Sequence, residues 1–121
     1  MIVSFTMPLR TVSALNAREH WGKRSRRVKA ERAMTAGHML LYGRAARTGW
    51  GAHAATMVVT LTRIGPRLLD SGDNLPSGLK GVRDQIAQWL GVDDRDPCVT
   101  WVYAQEKGKW GVHVEIREVK P

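Results

Sequence analysis

Residues 2–7 alternate, with Val3, Phe5 and Met7 on one side and Ser4 and Thr6 on the other. This is the period-two pattern of a half-buried strand, and Pro8 ends it. From Thr11 to Arg27 no period persists, and the basic stretch AREHWGKRSRR reads as a mobile loop. The next segment, about Arg27 to Ala46, is rich in Ala, Met, Leu, Lys and Arg and predicts a helix, against which Gly37 and Gly43 count. The run ATMVVTLTRI is β-branched and alternates at Met57, Val59 and Leu61, predicting a central strand. Between Asn74 and Gly91 the apolar residues Leu75, Leu79, Val82, Ile86 and Trp89 or Leu90 recur at spacings of four and three, as on one stripe of a helix. Asp73 or Asn74 can cap that helix, Pro76 is tolerated so early, and Gly91 is a natural stop. The strands CVTWVYAQ and GVHVEIREV follow, joined at Glu106-Lys107-Gly108-Lys109, where the glycine predicts a tight hairpin turn. The order strand, helix, strand, helix, strand, strand predicts an α/β (α+β) chain with four strands and two main helices.

With 121 residues, 43% of them hydrophobic, residues 1–121 suit a single domain with one compact core. Charge changes the picture more. The first 50 residues carry ten Lys/Arg against two Glu, whereas the remainder balances nine against nine, so the whole excess of +8 lies in the first part. Such asymmetry points to a polyanionic partner. The lone Cys98 excludes an intramolecular disulfide and a cysteine-based zinc site, and its apolar surroundings suggest a small buried hydrophobe. The opening MIVSFTMPLR is too short an apolar run for a signal peptide, and no stretch approaches the roughly 18 apolar residues of a membrane span. A cytoplasmic protein without a membrane partner is expected.

All six aspartates, Asp70, Asp73, Asp84, Asp93, Asp94 and Asp96, fall within 27 residues. Hard divalent cations take oxygen ligands, and an ion held by two or three carboxylates can polarise a phosphoryl oxygen and acidify a water for in-line attack. On the helix, Asp73, Ser77, Lys80 and Asp84 share a polar stripe beside the apolar one, and Lys80 is placed to neutralise charge building on a phosphate. The same residues also suit roles without chemistry: a cap at Asp73, turns at Asp93 to Asp96, a surface Lys80–Asp84 pair. A helix of about 16 residues spans roughly 24 Å, so Asp70/Asp73 and Asp93/Asp94 lie at its two ends. Either the chain folds back after Gly91 or a second subunit contributes.

Lys23, Arg24, Arg26, Arg27, Lys29 and Arg32 form a candidate sequence-independent phosphate-binding surface. Trp21 beside them is expected chiefly to anchor the basic loop to the core, stacking on a base being the lesser alternative. His20, His38, His53 and His113 show no metal-ligand spacing and are expected to be surface or packing residues. Trp89, Trp101, Tyr103 and Trp110 follow core periodicities.

The stretch LDSGDNLPSGLKGVRDQIAQWLGVDDRD resembles the RusA family of Holliday-junction resolvases, endodeoxyribonucleases found mostly in phages and prophages. The family motif is an Asp, a second Asp followed by Asn-Leu, a Lys one turn later, an Asp four residues beyond, and an Asp-Asp pair after the helix. FTMPLRTVSALN, with Pro8 and Asn16, is similar to the family's opening strand. By this resemblance Asp70, Asp73 and Asp94 are metal ligands and catalytic residues, Asn74 accompanies them, Lys80 is the catalytic lysine and Asp84 the helix aspartate. The implied cofactor is Mg²⁺ or Mn²⁺, and the implied partner is branched DNA, a four-way junction nicked symmetrically in recombination or repair. The implied form is a homodimer of small domains with mixed sheets. Ser71 and Gly72 both separate Asp70 from Asp73 where the family usually has one residue, and the Asn74-to-Lys80 gap is longer. A non-catalytic branched-DNA-binding recombination accessory is therefore the alternative.

Overall fold

The computed structural model describes residues 2–11, 21–44, 56–69, 74–93 and 95–119. Strand β1 (Ile2–Met7) is followed by helix α1 (Trp21–Tyr42), strand β2 (Thr56–Gly65), the short helix α2 (Asn74–Gly78), helix α3 (Lys80–Leu90), and strands β3 (Val99–Lys107) and β4 (Gly111–Val119). The four strands form one mixed sheet in the order β1-β4-β2-β3. β2 lies parallel to β3 and antiparallel to β4, and β1 pairs antiparallel with β4. The fold is a small α+β domain whose element order is the expected one.

Alternation along the strands builds the core. Val3, Phe5 and Met7 of β1, Met57, Val59 and Leu61 of β2, and Val112, Val114 and Ile116 of β4 are buried, and they pack with Leu75, Leu79, Val82, Ile86 and Leu90 from the helices. Burying one such side chain is worth about 1.5–3 kcal/mol. The predicted helix from Asn74 to Gly91 divides at Leu79, whose φ of −108° and ψ of 4° leave helical geometry. Its far end is the expected one. Gly91 adopts φ 72°, and the N–H groups of Gly91 and Val92 donate to the carbonyls of Gln88 and Ala87, closing the helix in a Schellman motif.

Two expectations are corrected. Residues 12–20 of the expected basic loop lie outside the described residues, but from Trp21 onward the chain is already helical; α1 runs to Tyr42, and the expected end at Ala46 lies outside the described residues. The early start was hidden because none of residues 21–26 is buried, and even further along two of the three buried positions, Glu31, Thr35 and Met39, are polar. Thr35 is satisfied by donating to the Glu31 carbonyl at 2.8 Å, and Glu31 accepts from Arg27 at 3.0 Å. Secondly, β3 and β4 do not form a hairpin, because β2 lies between them. Residues 108–110 instead cross the end of β2, a gap of two strand spacings, roughly 9.6 Å. The Gly108 N–H donates to the Gly65 carbonyl at 3.0 Å, and a Cβ on Gly108 would stand only 3.0 Å from Ile64 Cγ2, so the crossing is made where no side chain intervenes.

Candidate functional site

α1 packs along α3, and the seam between them carries most of the described residues that the sequence singles out. One stripe of α1, Trp21, Arg24, Ser25, Val28, Lys29 and Arg32, meets Gln85 and Gln88 of α3 in an open groove of about 670 Å³. Arg24 and Val28 also border a more enclosed pocket of about 300 Å³, completed by Arg27, Glu31, Ser77, Lys80, Gly81 and Asp84. A third depression of about 340 Å³ runs from Lys80 and Asp84 past Ala87 and Gln88 to Val92 and Asp93. Lys80 and Asp84 border both the enclosed pocket and the third depression, while the open groove shares Arg24 and Val28 with the first and Gln88 with the second.

The helical spacing sorts the six basic candidates. Arg24, Lys29 and Arg32 line the open groove, Arg27 faces the enclosed pocket, and Lys23 and Arg26 are exposed but are not among the groove's lining residues. Arg32 is held in place, its Nε and Nη2 donating to Gln85 Oε1 at 3.3 Å and Gln88 Oε1 at 2.9 Å. Arg27 is committed to Glu31, whose side chain is 4% exposed. Gln85 and Gln88 were missed in the sequence, although their i,i+3 spacing on the polar side of α3 was a signal. Trp21 contradicts the anchoring expectation: it is 77% exposed, because it occupies the solvent side of the first helical turn.

Lys80 opens α3 and donates to Asp84 Oδ2 at 2.8 Å, with side chains 64% and 31% exposed. Ser77, Lys80 and Asp84 thus share one face, as the spacing predicts. An exposed i,i+4 pair of this kind adds only about 0.3–0.5 kcal/mol to stability, so Lys80 is not needed there to hold the fold. Asp70, Asp73 and Asp94 lie outside the described residues. Among the described residues no group of three or more His, Cys, Asp or Glu side chains could hold a metal ion. The neighbours of these acids are described. Leu69 is clamped by Gln105 of β3, its N–H donating to Oε1 at 2.9 Å and its carbonyl accepting from Nε2 at 2.6 Å. Asp93 Oδ1 accepts the Arg95 N–H at 2.9 Å, and Asp96 Oδ1 accepts the Cys98 N–H at 2.8 Å. Leu69 and Asn74 lie towards the end of the sheet where β2 finishes, and Asp93 and Arg95 towards the end where β3 begins. α3 alone, at eleven residues, puts about 16 Å between its ends.

Other candidates resolve into structural roles. Cys98 is half-buried at the turn before β3 rather than a core residue, and its hydrogen bond to Asp96, burial and the charge of Asp96 push the thiol above its ordinary pKa, which opposes a reactive thiolate. His113 bonds Ser4 Oγ at 3.1 Å and Thr6 Oγ1 at 2.7 Å, and His38 stacks on Phe5 with centroids 5.6 Å apart. His20 and His53 lie outside the described residues. Trp89, Trp101 and Tyr103 pack against the core, while the Trp110 ring lies under the guanidinium groups of Arg10 and Arg63, at 5.1 and 5.3 Å. Arg63, unremarked in the sequence, is 3% exposed and ties Thr11 to the segment that leaves β2. Among the described residues no helix is long and apolar enough to cross a membrane.

The close approach of the two helices is testable. A Cβ on Gly81 would stand 2.8 Å from Glu31 Oε2 and 3.7 Å from Val28 Cγ1. Gly81→Ala should gain about 0.5–1 kcal/mol from helix propensity but displace a buried carboxylate from Arg27, a larger cost of about 1–3 kcal/mol. Urea denaturation should therefore show a net loss of stability. A net gain would mean that Glu31 swings aside freely.

No protein-family model matches the chain, and no curated protein matches it in sequence.

Proposed function

We propose that the chain is a metal-dependent, structure-specific endodeoxyribonuclease that resolves four-way junctions, as its resemblance to the RusA family implies. The observation that carries this reading is a basic groove on α1 that shares wall residues Arg24 and Val28 with the pocket of Lys80 and Asp84. Basic side chains of α1 and Lys80 of α3 thus border neighbouring cavities of one helix pair. Asp70, Asp73 and Asp94 are an all-carboxylate set, the donor chemistry that a hard divalent cation prefers. When bound, Mg²⁺ or Mn²⁺ would polarise the phosphodiester and supply an acidic water.

The chain's own residues bind and orient the substrate. Arg24, Lys29 and Arg32 hold backbone phosphates in a sequence-independent way, and the Lys80 ammonium, exposed beside Asp84, neutralises charge developing at the phosphate or leaving oxygen. A homodimer suits the reading, since a two-fold axis matches that of the junction and lets a second copy bring one end of its α3 towards the other end of its neighbour's. Bacterial or phage-infected host cytoplasm is the compartment where such a substrate arises.

Lys80→Ala should lower the nicking rate by roughly 10²-fold, the scale of losing one electrostatic donor in a transition state, with little change in junction affinity. An unchanged rate would remove Lys80 from the chemistry. The reading as a whole is tested by incubating the protein with four-way, flap and linear DNA, with and without Mg²⁺ or Mn²⁺. Cation-dependent nicking that favours the four-way substrate is expected. Tight junction binding without nicking in either ion would support the accessory-protein alternative, and preference for the flap would reassign the substrate.

A further inference from the structure

The open groove between α1 and α3 has a composition that phosphate binding alone does not explain. Its lining joins one aromatic ring, three cations and two amides, and no carboxylate is among them. Trp21 is the most exposed large hydrophobic residue described, at 77%, and it sits one turn before Arg24 and two turns before Lys29. A tryptophan there offers a phosphate no charge and at most one N–H donor, far less than a lysine or arginine. What an exposed aromatic face does suit is the π-face of a base, and a base inside a perfect duplex has no face to offer.

The amides sharpen the assignment. The side-chain oxygens of Gln85 and Gln88 accept from Arg32, which leaves their NH₂ groups as the donors they present. The groove is thus lined almost wholly by hydrogen-bond donors, complementary to phosphate oxygens and to the carbonyl and ring-nitrogen acceptors on a base edge. Its volume, about 670 Å³, falls within the range of about 300–1,000 Å³ typical of small-molecule sites. Arg24 and Val28 are wall residues of both the groove and the pocket of Lys80 and Asp84, so the two cavities are neighbours on one helix pair.

We propose that this groove binds an unpaired nucleotide of a DNA strand, with Trp21 stacking on the base, Arg24 and Lys29 holding the flanking phosphates, and Arg32, fixed by Gln85 and Gln88, completing the cationic wall. Naming DNA as the polymer rests on the nuclease reading; the preference for an unstacked base rests on the groove. Trp21 is then a specificity-determining residue for unpaired over paired DNA.

The test is equilibrium binding by fluorescence anisotropy without divalent cation, so that it does not depend on nicking. The probes are labelled oligothymidylate, an abasic strand of equal length and a perfect duplex, each titrated with wild type, Trp21→Ala and Trp21→Phe. Trp21→Ala should weaken oligothymidylate binding by roughly five- to a hundredfold, the scale of one lost stack, and leave the abasic strand and duplex nearly unchanged. Trp21→Phe should restore most of the loss. An equal effect of Trp21→Ala on all three probes, no effect on any, or no binding of oligothymidylate by the wild type would overturn the proposal. Nicking of four-way junctions that survives such a result would leave the nuclease reading standing, and selective stacking without nicking would leave the groove assignment standing.

Discussion

Asp73→Asn is expected to abolish Mg²⁺-dependent nicking of a four-way junction while leaving junction binding intact. The substitution keeps the size and shape of the side chain and removes one negative charge. If Asp73 helps hold the cation, the loss removes Lewis-acid stabilisation worth several kcal/mol, and each 1.36 kcal/mol is tenfold in rate, so a fall of roughly 10³-fold or more follows. Binding should move in the opposite sense. DNA is a polyanion, and deleting a carboxylate near its path lowers repulsion, so affinity at fixed salt should stay constant or rise. Single-turnover nicking and a binding titration on the same preparation separate the two effects. Wild-type nicking by the variant would remove Asp73 from the site, and a joint loss of binding and nicking would point to a folding role.

Arg63→Met should be the most damaging to stability of the substitutions considered. The guanidinium is buried on the same side of β2 as Met57, Val59 and Leu61, where Nε donates to Thr11 Oγ1 at 3.0 Å and Nη1 to the Arg67 carbonyl at 2.6 Å. Burial holds its pKa below the ordinary value for arginine, and the group also lies over the Trp110 ring. Methionine preserves the apolar stem but leaves the buried Thr11 hydroxyl and the Arg67 carbonyl without these donors. Charged hydrogen bonds are worth about 1.5–3 kcal/mol each, and the relief of an expensively buried cation offsets part of the loss. A net loss of about 2–4 kcal/mol is expected, read as a lower urea midpoint at unchanged slope. Because Arg67 and Leu69 lie on the segment leading to Asp70, a folded fraction of the variant should also nick more slowly. A change within about 0.5 kcal/mol, the range of ordinary surface substitutions, would show that the buried charge contributes nothing net.

The strands and the end of the second long helix were legible because each is encoded locally. β1 shows its buried face as strict alternation and β2 does so from Thr56 to Leu61, and Gly91 marks its helix end through a backbone angle that other residues adopt only with strain. The start of α1 was not legible, since none of residues 21–26 is buried and so no apolar period marks the first turns. Nor was the separation of β3 from β4. Period-two alternation reports which face a residue occupies and carries no information about which strand lies alongside, so a short Gly-containing link reads as a hairpin even when it steps over a third strand. At the candidate site, the basic character of residues 23–32 was plain in composition, but its division into a groove-lining stripe, an internal pair and an outer face depends on the helix beginning at Trp21, six residues before the expected start. The Lys80–Asp84 pairing was legible from spacing alone. Asp70, Asp73 and Asp94 were legible as residue types, and their role as ligands of one ion is a proposal.

The most direct measurement is the position of the cuts on an immobile four-way junction, mapped on all four strands at nucleotide resolution in the presence of Mg²⁺ or Mn²⁺. The nuclease reading predicts paired nicks at two-fold-related positions in opposed strands, with 5′-phosphate ends and a dependence on the divalent ion. Uncut strands in both ions, or cuts scattered equally over linear DNA, would contradict it.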